Sequence, residues 1–548
     1  YGAGGGAIMT GHDNVAVGAN ALAATTSGNS NVAIGKDAGT AITTGDRNTA
    51  VGKDALKSMT TGSYSTAVGY QALENNTGNN NTAVGDQALE ANTTGINNTA
   101  MGDDALVANT TGDNNVAIGG SALDANTTAS NNTAVGHQSG TNNTTGALLT
   151  SLGRRASFSN TTGDYNTSVG GDALYSNTTG ASNTAVGLDA LFSNTTANNN
   201  TAVGYEAAKT NSTGTENTAL GRKALTANTT GSYNTAVGLN ALVKNTTASY
   251  NTAMGVQCVN ENTTGGRLTA VGFQALYANT TGYENVAMGA YALDANTTGV
   301  ENTALGDAAM SAVTTGNQNT AVGSQAMKVG TGLQNTCIGG SSGKDLSTGS
   351  YNTFLGYRVG NYTVSATTGS DNVIIGAYSH GATQATNRAN ALGYDLSAAE
   401  DYTTIGYATN DIRAAHGTAT WATVSDERYK KDIADSTTGL SFINSLKPRT
   451  FNYKTLGELP ENFRAYKKDS TEIYKSDKTQ HGFIAQEVKT AIDADSGIKD
   501  GFKFWDERPD GSQEVAEAAL IPVLVKALQE LSAKNDALEA RITALEAE

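Results

Sequence analysis

Over most of the chain the apolar and polar positions repeat as a five-residue word, Asn-Thr-Ala-Val-Gly, in which Thr and Val share one face and Asn and Ala the other. It is complete at, among others, Asn48–Gly52, Asn81–Gly85, Asn183–Gly187 and Asn234–Gly238, and near-copies such as Asn14–Gly18, Asn115–Gly119 and Asn352–Gly356 stand before, between and after complete ones. Period-two alternation bounded by Gly and Asn predicts a short strand running into a turn. A second word, Ala-Leu-x-x-Asn-Thr-Thr-Gly (Ala105–Gly112, Ala173–Gly180), predicts a second turn with Gly or Asn at positive φ. The closing glycines run from Gly18 through Gly35 and Gly52 to Gly406 in 24 copies, spaced about 17 residues apart. Such a unit has no room for a strand plus a long helix and buries too little to stand alone. Stacked copies cover one another, so the pattern predicts a parallel β-solenoid or β-roll. At ~4.8 Å per rung the stack is roughly 115 Å long.

Ala and Val are small, and a single chain is expected to be thin-cored. Three chains about one axis would bury the Ala face and ladder the Asn residues, so a homotrimer is expected. After Gly356 the closing glycines fall at Gly376, Gly393 and Gly406, so the spacing first stretches and then shortens. Aromatic and histidine side chains gather there: Tyr378, His380, Tyr394, Tyr402, Tyr407, His416 and Trp421. The chain therefore reads as a shaft over 1–376 and an irregular end over 377–424. That end has two readings. It is either a cap that closes the solenoid or a distal tip, with Tyr378, His380, Tyr394, Tyr402, Tyr407 and Trp421 meeting a receptor, a host cell-surface glycan or protein.

Composition changes sharply near 415–425. All four prolines and only six of the 64 glycines lie beyond residue 424, together with 18 of the 34 Lys and Arg and 23 of the 50 Asp and Glu. A third segment, 425–548, is thus set apart. The net charge of −16 is spread thinly, and no basic patch exists to neutralise phosphates, so nucleic-acid binding is not expected. No apolar run approaches the ~20 residues of a membrane helix, so membrane insertion is not expected. Cys258 and Cys337 lie in different repeats, which argues against an intrachain disulfide. The chain opens at Tyr1 without Met or a leader, as expected of a fragment or a processed form.

The Asn-Thr-Thr and Asn-Asn-Thr words match the glycosylation sequon, but turn chemistry accounts for them. Thr columns fit an ice-ordering array and equally an ordinary strand. Calcium-binding nonapeptide solenoids need an Asp in every repeat, and here the Asp residues are irregular. No metal or cofactor is expected.

Three blocks carry chemistry in the last segment. Val424-Ser425-Asp426-Glu427-Arg428-Tyr429-Lys430-Lys431-Asp432-Ile433 opens it. The next runs from Gly439 and Leu440 through Phe442, Ile443, Leu446, Pro448 and Phe451 to Tyr453, and the last is His481-Gly482-Phe483-Ile484-Ala485-Gln486-Glu487-Val488. Taken alone, Ser425 reads as a helix N-cap with acids in the first turn, or as a nucleophile beside a lysine base. Further on, Leu524, Leu528, Leu531, Asn535, Leu538, Ile542 and Leu545 follow spacings of four and three behind Pro522, a heptad seam over a helix at about 520–547. An amphipathic helix on the segment's own surface is the alternative. Asn535 at an a position more often accompanies dimers, so the seam argues for self-association rather than for three strands.

These three blocks, in this order, closely resemble the endosialidase-type intramolecular chaperone domain at the C-terminus of phage tail fibres and tailspikes. The resemblance implies a small α+β domain that trimerises, guides folding of the β-structured shaft, and then cuts itself off between Val424 and Ser425. Ser425 would be the nucleophile, Lys430 the base, and His481 would assist or position, in a single-turnover cleavage without a diffusible substrate. Repeats such as Asn31–Gly35 also resemble the head repeats of trimeric autotransporter adhesins, with a longer spacing and no membrane barrel following. The expectation is a trimeric phage tail fibre for host attachment, made in the host cytoplasm and carried on the virion or outside the cell. Its alternatives are a bacterial surface adhesin and a polysaccharide-degrading tailspike, although glycoside hydrolysis wants paired carboxylates that the repeats rarely place.

Overall fold

A computed structural model describes residues 10–418, 421–423, 425–498 and 502–547. The chain divides into two compact units, Tyr1–Val424 and Ser425–Glu548.

In the first unit the copies of the five-residue word up to Gly376 are three-residue strands, such as Thr99–Met101 or Thr184–Val186, paired in parallel with their neighbours along the stack. The register is residue for residue: Thr184 opposes Thr201, Ala185 opposes Ala202, and Val186 opposes Val203. The main sheet has 26 strands, of which the last two, Asn410–Ala415 and Ala422–Thr423, pair antiparallel. The unit is the expected parallel β-solenoid. Its final edge is covered by Asn410–Ala415 lying antiparallel on Tyr402–Tyr407, which closes the edge that a solenoid otherwise leaves unpaired.

The alternation decides which side chains go inside. Ala of the strand, Ala and Leu of the second word, and both Asn residues are buried, whereas Val, Ile, Met or Leu at the closing position of the strand faces out. This corrects the expectation that a lone chain would leave its Ala face and Asn residues uncovered. One chain buries them, because each repeat folds back on itself and brings Ala100 and Leu106 of one rung into the same core as their counterparts Ala117 and Leu123 in the next.

Buried amides are tolerable only when paired. Asn31 donates Nδ2–H to the Gly45 carbonyl (2.8 Å), and its Oδ1 accepts from the Asn48 backbone N–H of the next rung (2.9 Å). In a second ladder Asn177 donates to Asn160 Oδ1 (2.7 Å) and to the Gly180 carbonyl (2.9 Å), while its own Oδ1 accepts from Asn194 (2.8 Å). A ladder of this kind ends with one acceptor over. Asn296 Oδ1, next to Val313 where another Asn would stand, is buried without a partner.

Backbone conformation departs from one expectation. The second-turn glycines lie outside the left-handed region; at Gly95 a Cβ would meet the Gly112 carbonyl oxygen of the next rung at 2.6 Å, although Ala129, Ala197 and Ala248 stand at the same place in other rungs. Left-handed φ falls instead on non-glycine positions such as Asn97 (58°), Asp104 (56°) and Leu106 (54°). The strain, of order 1–3 kcal/mol each, is offset at Leu106 by complete burial of the side chain. Where the Leu position holds glycine, a larger neighbour fills the space: Ile42 reaches over Gly39, and Leu149 over Gly140.

In the second unit α1 (Leu440–Ser445), α2 (Ala485–Ala494) and α3 (Ile521–Glu546) enclose a small core of Phe442, Val488, Ile492, Phe504, Leu520 and Val523. Two antiparallel strand pairs, Arg449–Phe451 with Gln480–Gly482 and Trp505–Glu507 with Gln513–Val515, complete it. Glu530 of α3 accepts from the Leu440 backbone N–H at the start of α1 (2.8 Å), which ties the two helices together.

Asn177→Ala removes a buried donor and acceptor at once and is expected to cost roughly 2–4 kcal/mol locally. Hydrogen exchange of the rungs around residue 177 should accelerate, with distant rungs unchanged. Burial pushes the thiols of Cys258 and Cys337 up to about 12, so both are expected to resist iodoacetamide at pH 8 in the folded protein and to react in guanidinium, as intact mass will read.

Candidate functional site

The second unit opens with Ser-Asp-Glu-Arg-Tyr-Lys, and its first turn follows from side chains that compete for the backbone. Asp426 caps the 3-10 turn Glu427–Tyr429, accepting from the Arg428 backbone N–H at 2.9 Å. The Arg428 guanidinium doubles back onto both oxygens of the same carboxylate (2.9 and 3.1 Å from Nε) and holds Asp426 below its ordinary carboxylate range. The turn closes through the Lys430 N–H donating to the Glu427 carbonyl (2.9 Å). The Lys430 side chain then lies back over the first residue, with Nζ 2.7 Å from Ser425 Oγ and 3.2 Å from the Ser425 carbonyl oxygen.

The cap is therefore Asp426, and the reading of Ser425 as helix N-cap does not hold. Its hydroxyl is committed to an amine, the arrangement in which a weak nucleophile can surrender its proton. Both side chains are exposed. Val424, the other half of the expected cleavage site, lies outside the described residues. His481 is placed elsewhere in the unit, exposed on Gln480–Gly482 opposite Thr450, and makes no hydrogen bond to Ser425 or Lys430 among the described residues. Sequence reasoning passed over Arg428. The signal was its (i, i+2) spacing from Asp426, which suits a carboxylate that caps and is gripped in one turn.

At the end of the first unit, aromatic side chains from successive rungs form a column. Tyr357 and Tyr378 meet edge to face at 5.6 Å, as do Tyr378 and Tyr394 at 5.6 Å, and Tyr394 stacks on Tyr407 at 5.1 Å. Tyr394 and Tyr407 are exposed, and so is Trp421. Tyr402 is half-buried beneath the Arg413 guanidinium, 5.1 Å from the ring. His380 does not belong to this surface. It is 7 % exposed, with Nε2 at 2.6 Å from Thr363 Oγ1 and Nδ1 at 2.8 Å from the Gly381 carbonyl.

On α3 the first turns bury Val523 and Ala527, whereas Leu524, Leu528, Leu531, Leu538, Ile542 and Leu545 are all exposed. No helix among the described residues is long and apolar enough to cross a membrane, and no cluster of metal-ligating side chains occurs among them.

No curated protein and no solved structure matches the chain. Residues 425–496, which begin at Ser425 and contain Lys430 and His481, match the family model described as chaperone of endosialidase.

Proposed function

We propose that the chain is a homotrimeric phage tail fibre that attaches to a host surface and whose C-terminal segment, after assisting folding, cuts itself away between Val424 and Ser425. The observation that carries the cleavage is the 2.7 Å contact of Lys430 Nζ with Ser425 Oγ at the first residue of the matched segment. Ser425 reaches the carbonyl of its own preceding peptide bond through a five-membered ring. As Oγ adds to the Val424 carbonyl carbon, its proton passes to the Lys430 amine. The C–N bond then breaks and the Ser425 nitrogen leaves with a proton, so the amide becomes an ester. Water cleaves that ester and releases Val424 as a carboxylate and Ser425 with a free amine and hydroxyl. Each chain reacts once, and no diffusible substrate is involved.

The homotrimer is supported by the outward position of the strand. From Val17 to Ile405 that position is Val, Ile, Leu or Met in every rung, although positions beside it range over Lys, Asp, Tyr and Gly. Leu220 and Leu392 are 47 % and 52 % exposed there. A continuous apolar strip of this length exceeds the few hundred Å² that monomers usually leave open, and identical copies offer identical strips. The exposed seam of α3 supports self-association in the second unit. Attachment through the Tyr378–Tyr394–Tyr407 column is supported by exposed aromatic surface, which suits sugar rings and protein anchors alike.

In a denaturing gel with intact-mass analysis, the expressed chain should yield pieces 1–424 and 425–548, with Ser425→Ala remaining whole. Lys430→Ala should slow the cut by roughly a hundredfold or more. An uncut wild-type chain that is folded would sink the assignment. Sedimentation of the uncut Ser425→Ala chain should give three times 55.9 kDa, and adding Leu220→Asp with Leu305→Asp should shift it toward monomer, since each buried unpaired charge costs on the order of 3–5 kcal/mol. A monomeric uncut chain is the outcome that rejects the trimer.

A further inference from the structure

The α3 helix uses its first turns and its later ones differently. Val523 and Ala527 are buried, while Ile521, Leu524, Val525 and Leu528 of the same turns are exposed. A helix that is apolar all round is one that is covered all round, and here its own unit covers one side only. From Leu531 to Glu546 every residue is exposed, so Leu531, Leu538, Ile542 and Leu545 have no cover among the described residues.

The charges beside this line select what can cover it. With Leu528, Asn535 and Ile542 at a and the four leucines at d, the flanking charges are Lys534 and Arg541 at g and Glu539 and Glu546 at e. One flank is basic and the other acidic. Glu539, Arg541 and Glu546 have no opposite charge three or four residues away, where a helix could pair them with itself. Lys534 has only Glu530, which already accepts from the Leu440 backbone N–H (2.8 Å). The ion pairs of the second unit, such as Arg449 with Glu487 and Arg508 with Glu514, include none of the four among the described residues. Lys534 precedes Glu539 by five residues, and Arg541 precedes Glu546 by five. That is the step from g of one helix to the following e of a parallel neighbour in register. Antiparallel neighbours would set g against g and e against e, base on base and acid on acid.

We propose that the partner of α3 is α3 of another copy of this chain, parallel and residue-for-residue in register, and that this pairing sets the register in which the shafts meet. Lys534 pairs with Glu539 and Arg541 with Glu546 across chains, and the Asn535 side chains lie level with one another. The proposal rests on the self-association proposed above and adds its orientation and its purpose. The shaft is a poor judge of register, since its outward position is Val, Ile, Leu or Met in every rung from Val17 to Ile405. A neighbour displaced by one rung, ~4.8 Å, meets nearly the same strip. On α3 a displacement of one heptad instead sets Asn535 against Leu528 or Ile542, which leaves an amide unpaired in an apolar seam and breaks one of the two charge pairs.

Disulfide formation in the full, uncut Ser425→Ala chain carrying Leu545→Cys tests it, with oxidised glutathione as oxidant and a non-reducing denaturing gel as readout. Cys258 and Cys337 are buried and stay out of the reaction. Leu545→Cys is expected to link chain to chain, and Ala540→Cys, at f on the far side of the helix, to link at least tenfold more slowly. Lys534→Glu with Arg541→Glu should slow the Leu545→Cys link about tenfold at low salt, and adding Glu539→Lys with Glu546→Lys should restore it. After denaturation and refolding, the unreversed chain should sediment as one species and the chain with Lys534→Glu and Arg541→Glu as several. An assembled chain whose Leu545→Cys links no faster than Ala540→Cys, whose link ignores the charge reversal, or whose reversed form refolds to one species overturns the proposal and leaves the trimer standing. A monomeric uncut chain overturns both.

Discussion

The rung-to-rung pairing of buried asparagines is the interaction on which the first unit depends. An amide enclosed in a core of Ala and Leu must find both a donor and an acceptor, and here the acceptor of one rung serves the donor of the next. The pairing works only if each turn returns an Asn to the same place, which holds the repeat length constant more tightly than the apolar contacts do. The changes in length respect this. One copy has lost a Thr from its second turn, and Asn76 then donates to Gly78, two residues on, instead of three (2.8 Å). The long step from Gly356 to Gly376 carries its excess between Gly360 and Ala366, while Thr353–Leu355 and Val373–Ile375 still pair in register. Corners absorb insertions and strands do not, because a slip of one residue would exchange the buried and exposed faces.

The strands and their parallel stacking were legible because the word alternates with period two and returns at constant spacing. What sits on each face was only partly legible. The same alternation places Asn with Ala and Thr with Val, yet it does not say which pair is inside. Expecting a thin core led to the idea that several chains were needed to bury Ala and Asn. The missing element was the left-handed φ of Leu106 and its equivalents, which folds the second word inward so that Leu fills the core of its own chain. Non-glycine residues at such angles carry no mark in sequence, since Leu is an unfavourable choice there and is held by packing alone.

At the candidate site the residue types were legible and the geometry was not. Ser425 and Lys430 are five apart, a spacing that brings side chains together neither in a regular helix nor in a strand. The 3-10 turn between them closes the distance, and it forms because Asp426 and Arg428 satisfy each other within two residues. His481 matched its block as a sequence word, but position in a word does not bring a side chain to a reaction centre. On Gln480–Gly482 it is opposite Thr450 and exposed.

A serine and a lysine in hydrogen-bond contact in the open also bear on timing. An amine acts as base only once it has lost its proton, and removal from water is what favours the neutral form. Both groups of the pair are exposed in a single chain, so its geometry supplies proximity without the dry surroundings that activate the amine. Contact can be made early, by local chain alone, because the whole turn lies between Ser425 and Lys430. Desolvation can come only from something that covers the turn afterwards. For the single self-cleavage proposed above, that division of labour would let a locally formed pair wait for a later packing event.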